Sequence, residues 1–149
     1  MSTHREQITE LQTLLGEVTV LNSVLLGARS IANLNPENMP ATIIEIGDLF
    51  TDRSRSQILD RESLFPVVIG IFVHDNELTD QIMDDAGILN VYTEVWNKLL
   101  MNPALNDTCV DFQATNIKHE HSAGQFDMRS MFIELQIKTW YRSPYVHKT

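Results

Sequence analysis

MFIELQIKTWY, residues 131–141, places Met131, Ile133, Leu135, Ile137 and Tyr141 in alternation with Glu134, Gln136, Lys138 and Trp140. A period of two marks a strand in a sheet with one buried face. Working outward, residues 39–141 read strand, polar loop, strand, long helix, strand, strand, with no catalytic motif along them. ATIIEIG at 41–47 follows Pro40, which sits where a strand tolerates proline, at its start. Ile44 and Ile46 lie opposite to Ile43 and Glu45, so both faces of this strand are expected to be partly covered. LFPVVIGIFV at 64–73 is dense in β-branched and aromatic residues and is expected at the centre of the sheet. Gly70 there marks a bulge or a close backbone approach. Residues 109–121, the turn SAGQFD and the final strand form an antiparallel hairpin.

Two helices complete the reading. Thr3 and Glu6 have capping-box spacing, and Ile8, Leu11, Leu15 and Val18 fall on one stripe widened by Leu14. This helix is expected to run to about Leu25, before Gly27, Asn33, Asn35 and Pro36 impose irregular structure. Asp75 and Asn76 offer N-caps for a long helix whose apolar face is Leu78, Ile82, Ala86, Leu89, Tyr92, Trp96 and Leu99. Gly87 predicts a kink in it or a break into two abutting helices, and Asn102 with Pro103 ends it. The fold class is α+β, one domain over 1–149: a mixed or antiparallel sheet of about four or more strands against an N-terminal helix and a long central helix. An exposed arm is predicted at 48–62 and a short tail at 142–149.

Composition narrows the function. Hydrophobic residues at 43% and charged ones at 21% describe an ordinary globular chain, and 149 residues suffice for one core. A net charge of −9 argues against wrapping nucleic acid, which needs an excess of Lys and Arg. The same acidity suits a channel wall along which DNA slides. A single cysteine, Cys109, excludes an intrachain disulfide and predicts a reducing compartment. The polar start MSTHREQITE has no signal-peptide character, and no apolar run approaches a membrane span.

Candidate chemistry is sparse. His119 and His121 are two apart on a strand and leave the same face, as a transition-metal pair would, but no third ligand has recognisable spacing, and polar residues on an exposed hairpin face are the better reading. Asp84 and Asp85 diverge by about 100° on a helix and read as a solvated face. Cys109 has no Cys-x-x-Cys partner or basic neighbour and reads as a small buried apolar residue. Nucleophile-elbow, phosphate-loop and zinc-protease patterns are missing, so no enzyme class, metal or cofactor is assigned. Trp96 and Trp140 read as core or interface anchors. The polar run FTDRSRSQILDRES reads as a solvated loop or as an arm reaching a neighbouring subunit.

The order of elements resembles the tail terminator, or tail completion, proteins of long-tailed bacteriophages. The resemblance is carried by GARSIANLNPEN after the first helix, the Pro-initiated MPATIIEIGD, the polar arm, ESLFPVVIGIFVHD running into NELTDQIMDD, and NPALNDTCVDF with MFIELQIKTWY as a closing hairpin. It covers nearly the whole chain; the length of the first helix and the basic RSPYVHKT beyond the last strand depart from it. It implies a virion structural protein, assembled in the host cytoplasm, that forms a hexameric ring on the tail tube, ends tube growth and presents the head-joining surface. Implied partners are copies of itself, the tail tube protein and a head-completion or neck protein, with DNA passing through the lumen, no sequence-specific nucleic-acid binding and no membrane. Arg53, Arg55 and Arg61 are then the candidate subunit or tube contacts. Two other readings stand beside it: another neck or head-tail connector protein, and a small α+β metal- or ligand-binding domain using His119 and His121.

Overall fold

The computed structural model describes residues 4–48, 51–54, 61–74, 82–122 and 128–141, with backbone alone at 51–54, 61, 122, 140 and 141. The elements in order are α1 (His4–Gly16), β1 (Ser23–Leu26), a 3-10 helix (Ala28–Asn33), β2 (Ala41–Ile46), β3 (Thr51–Ser54), β4 (Arg61–His74), α2 (Ile88–Leu100), β5 (Asp111–Ser122) and β6 (Met128–Tyr141). They form an α+β domain with a mixed sheet in the order β1-β2-β4-β6-β5, in which β3 pairs with the start of β4. Only β1 and β2 are parallel.

β4 is the spine. Its 14 residues are paired along their whole length with β6, and on the other edge first with β3 (residues 61–64) and then with β2 (67–72). Pro66 falls in the gap between those two partners. In a strand the N–H and C=O of one residue point the same way, and the Pro66 carbonyl accepts from Gly47 N–H at 2.9 Å. Proline lacks the N–H that would complete this pair with Gly47, and it stands just past the end of the β2 ladder, where the loss of one bond is tolerated.

Alternation sorts the core. Phe65, Val67, Ile69, Ile71 and Val73 of β4, with Met131, Ile133, Leu135 and Ile137 of β6, face the helices. Against them α1 lays Leu11, Leu14 and Leu15, and α2 lays Ile88, Val91, Val95 and Leu99. A smaller cluster of Leu34, Met39, Ala41, Ile43 and Phe72 lies on the other face.

Several expectations are corrected. The first helix ends at Gly16; SVLL, too short to show a period, becomes β1 and pairs with β2. The second helix begins at Ile88 with Gly87 as N-cap, so Gly87 starts the helix where a kink or a break was predicted. Residues 82–87 are turns and bends, and Asp75, Asn76 and Leu78 lie outside the described residues. Of the predicted stripe Leu99 is fully buried and Tyr92 and Trp96 pack partly buried, but the stripe centres on Ile88, Val91 and Val95, and Leu89 is 49% exposed. The arm is a hairpin at its base, with β3 against residues 61–64, but Glu62 and Ser63 are buried, so polarity alone misjudged its return strand. Thr3 lies outside the described residues.

Gly70 makes the close approach predicted for it, within a regular ladder. A Cβ there would stand 2.8 Å from the Phe72 ring and 3.2 Å from the Phe132 ring. The bulge in this sheet falls elsewhere, between Ala114 and Asn116 of β5.

Candidate assembly interface

Both helices pack on one face of the sheet, and among the described residues the other face is covered at one end alone, by the 3-10 helix and the segment leading to β2. The uncovered part is a groove of about 500 Å³. Register lays out its floor in rows across β2, β4 and β6: Ile43, Gly70 and Phe132; then Glu45, Val68 and Glu134; then Pro66 beside Gln136. Ile31 and Ile46 stand at its border, 41% and 50% exposed. Asp48 joins Glu45 and Glu134 as a third carboxylate, and no described lining residue is basic.

Glu45 is held in place by the backbone. Its carboxylate accepts from Ala28 N–H at 2.6 Å and from Ile46 N–H at 2.8 Å. These donors, Ala28 first, hold the carboxyl below the usual carboxylate range, so it is ionised at neutral pH. The depressed value adds stability above the unfolded-state pKa and loses it as the pH falls through the folded one.

The second open feature is an edge. β5 ends the sheet, with no partner on its outer side among the described residues, and residues 115–121 are all exposed. A long unpaired row of N–H and C=O groups is a template for pairing with another chain.

The predicted contact residues distribute unevenly. Arg53 lies in β3 opposite Glu62, and Arg61 lies in β4 between Ser54 and Tyr141. Arg55 lies outside the described residues. His119 and His121 are both exposed on β5 and stand opposite Met131 and Arg129. Arg129 Nη1 is 3.5 Å from His119 Nε2, so the third group beside the pair is a cation, the wrong sign for a metal ligand. Among the described residues no three His, Cys, Asp or Glu side chains gather as a metal site. Asp84 and Asp85 lie in a bend, where the backbone carbonyls accept from Gly87 N–H and the Asn90 side chain. Trp96 packs partly buried against the core; the Trp140 side chain lies outside the described set.

Cys109 is half-buried. Burial first, and the Asp111 carboxylate second, push its thiol up to about 11 from an ordinary 9.0. At pH 8 this leaves about a hundredfold less thiolate than an ordinary cysteine has. Iodoacetamide should therefore alkylate the native protein about a hundredfold more slowly than the urea-unfolded chain; equal rates would contradict the half-buried placement.

Sequence reading missed a polar cluster at the base of α1. Gln7, fully buried, donates from Nε2 to Thr108 O at 2.7 Å and to Thr139 Oγ1 at 2.6 Å. Its Oε1 is 2.9 Å from His4 Nδ1, whose ring stacks on Phe65 and places Nε2 3.3 Å from Ser63 Oγ. A serine beside an imidazole resembles a nucleophile with its base. Ser63 is 2% exposed, however, and the cluster lies away from the groove, so it reads as a structural tie. Its one sequence signal was a glutamine at position 7, one turn before Leu11 on the apolar stripe.

No family model and no curated protein sequence matches this chain. Among the described residues no helix is long and apolar enough to cross a membrane.

Proposed function

We propose that the chain is a virion structural protein, the subunit of a ring that caps a phage tail tube, stops its growth and offers the head a joining surface. The observation that carries this reading is the one-sided packing of the sheet. Among the described residues both helices cover one face, while a 12-residue edge strand and a grooved apolar second face stay open. Open edges of this kind are used up by assembly. Resemblance in element order to tail terminators supplies the particular assembly, and the net charge of −9 suits a lumen that DNA passes without sticking.

Light scattering over a range of concentration, with negative-stain images, tests the ring. The expected species has about six times the 17.0 kDa subunit mass and a central hole. Replacing Arg53 and Arg55 together by glutamate should weaken assembly at least tenfold, with the far-ultraviolet circular dichroism of the subunit unchanged. A wild-type protein that stays monomeric at every concentration and on added tail tubes would remove this function.

A further inference from the structure

The groove on the open face has a definite chemical character: an apolar floor between carboxylates, with no described basic residue around it. Adjacent strands are about 4.8 Å apart, so Glu45 and Glu134 flank Val68 with roughly 10 Å between their backbones. One extended chain fits between them. Its complement would be short, apolar in the middle, positively charged and free of acids.

This sequence contains such a segment. Residues 142–149, RSPYVHKT, hold Pro144, Tyr145 and Val146 between Arg142 and Lys148, with no acidic residue. The other arginine-rich stretch, 53–61, is diluted by Asp52, Asp60 and Glu62 around it. We propose that the groove receives residues 142–149 of a second copy of the chain, joining subunits head to tail.

Reach decides between a second copy and the same chain. β6 carries the backbone away from the groove: Tyr141 lies five residues past Gln136, about 17 Å along the strand. Eight extended residues span at most about 26–29 Å. A reversal consumes at least two of them and retracing 17 Å consumes five more, so in the same chain only Lys148 and Thr149 arrive, and residues 144–146 never touch the floor. A neighbouring copy has no such constraint. Because groove and segment are different surfaces, the contact is heterologous and propagates until a rotation closes it. The inference deepens the ring reading, and rests on it for that closure.

The receptor for the test is the full-length protein carrying Arg142→Glu and Lys148→Glu, whose own segment no longer competes. A fluorescent peptide of sequence RSPYVHKT should bind it saturably at low salt, measured by anisotropy. Adding Glu134→Lys to the receptor should weaken binding at least tenfold, as should reversing the two peptide charges. If Glu134→Lys fails to fold, Asp48→Lys, on an exposed residue of the same rim, makes the same test. Absence of peptide binding, or binding indifferent to both rim substitutions, overturns the inference. Should the Arg142→Glu, Lys148→Glu protein still form full rings, the segment is not the joint, although the ring reading survives. Peptide binding by a wild-type chain that never assembles would keep the groove contact and remove the ring.

Discussion

Replacing Gln7 by leucine should lower the unfolding free energy by about 2–4 kcal/mol, measured by urea denaturation. The two side chains have similar volume, so the loss comes from hydrogen bonding and little from a cavity. Two buried residues lose a hydrogen bond at once, at the Thr108 carbonyl and the Thr139 hydroxyl, and the half-buried His4 Nδ1 loses its contact with the Gln7 amide oxygen. The carbonyl matters most. It belongs to the residue whose N–H closes a turn onto the Ala104 and Leu105 carbonyls, a turn in which Leu105, Asn106 and Asp107 all adopt left-handed backbone, with φ of 45°, 55° and 63°. Asparagine and aspartate tolerate that region; leucine does so at a cost of about 1–2 kcal/mol, offset here by complete burial of its side chain in the core. Gln7 thus ties α1 to a strained turn and to β6 together. Thr139→Val should cost less, about 1 kcal/mol, because Gln7 keeps the Thr108 carbonyl. Equal stability of wild type and Gln7→Leu would mean that the tie contributes nothing.

The second large effect concerns Gly70 and Phe72. Phe72→Ala should destabilise by about 3–5 kcal/mol, since the ring is 2% exposed and meets Phe132 edge to face at 5.6 Å. Gly70→Ala should cost about 1–3 kcal/mol, because its Cβ would stand 2.8 Å from the Phe72 ring and 3.2 Å from the Phe132 ring, so at least one ring has to leave its present position. Combined, the two changes should cost at least about 1 kcal/mol less than their sum, since removing the Phe72 ring makes room for the new methyl. Strict additivity would show that the glycine is required for another reason.

How much of this was legible beforehand depends on which physical signal each element carries. β6 and β4 were readable because each presents a long alternation or a dense β-branched run, and both occupy the interior of the sheet. β1 was not, because four residues cannot display a period and its parallel pairing depends on a remote segment. The start of α2 was misplaced because Ile82 and Ala86 keep the helical spacing although residues 82–87 form turns and bends, and a β-region glycine served as the cap. The groove was hidden by the alternation rule itself, which assigns the second face to solvent. Phe132, an aromatic at a position the period reserves for polar residues, was the available clue. Gln7 and Ser63 escaped because a buried polar side chain is recognisable only through its partners, and those lie 132 and 59 positions away.

The pairing of β4 with β6 also sets a timetable for folding. Arg61 meets Tyr141 and His74 meets Met128, separations of 141 − 61 = 80 and 128 − 74 = 54 residues. Contacts so distant in sequence form slowly, since loop-closure entropy is lost before they reward it. On the ribosome the spine strand waits, apolar and half-paired at best, until residues 128–141 have been made. A newly made chain is thus exposed to misassociation late in its synthesis, and lowering the growth temperature or supplying a holding chaperone should raise its soluble yield more than any substitution on the finished surface.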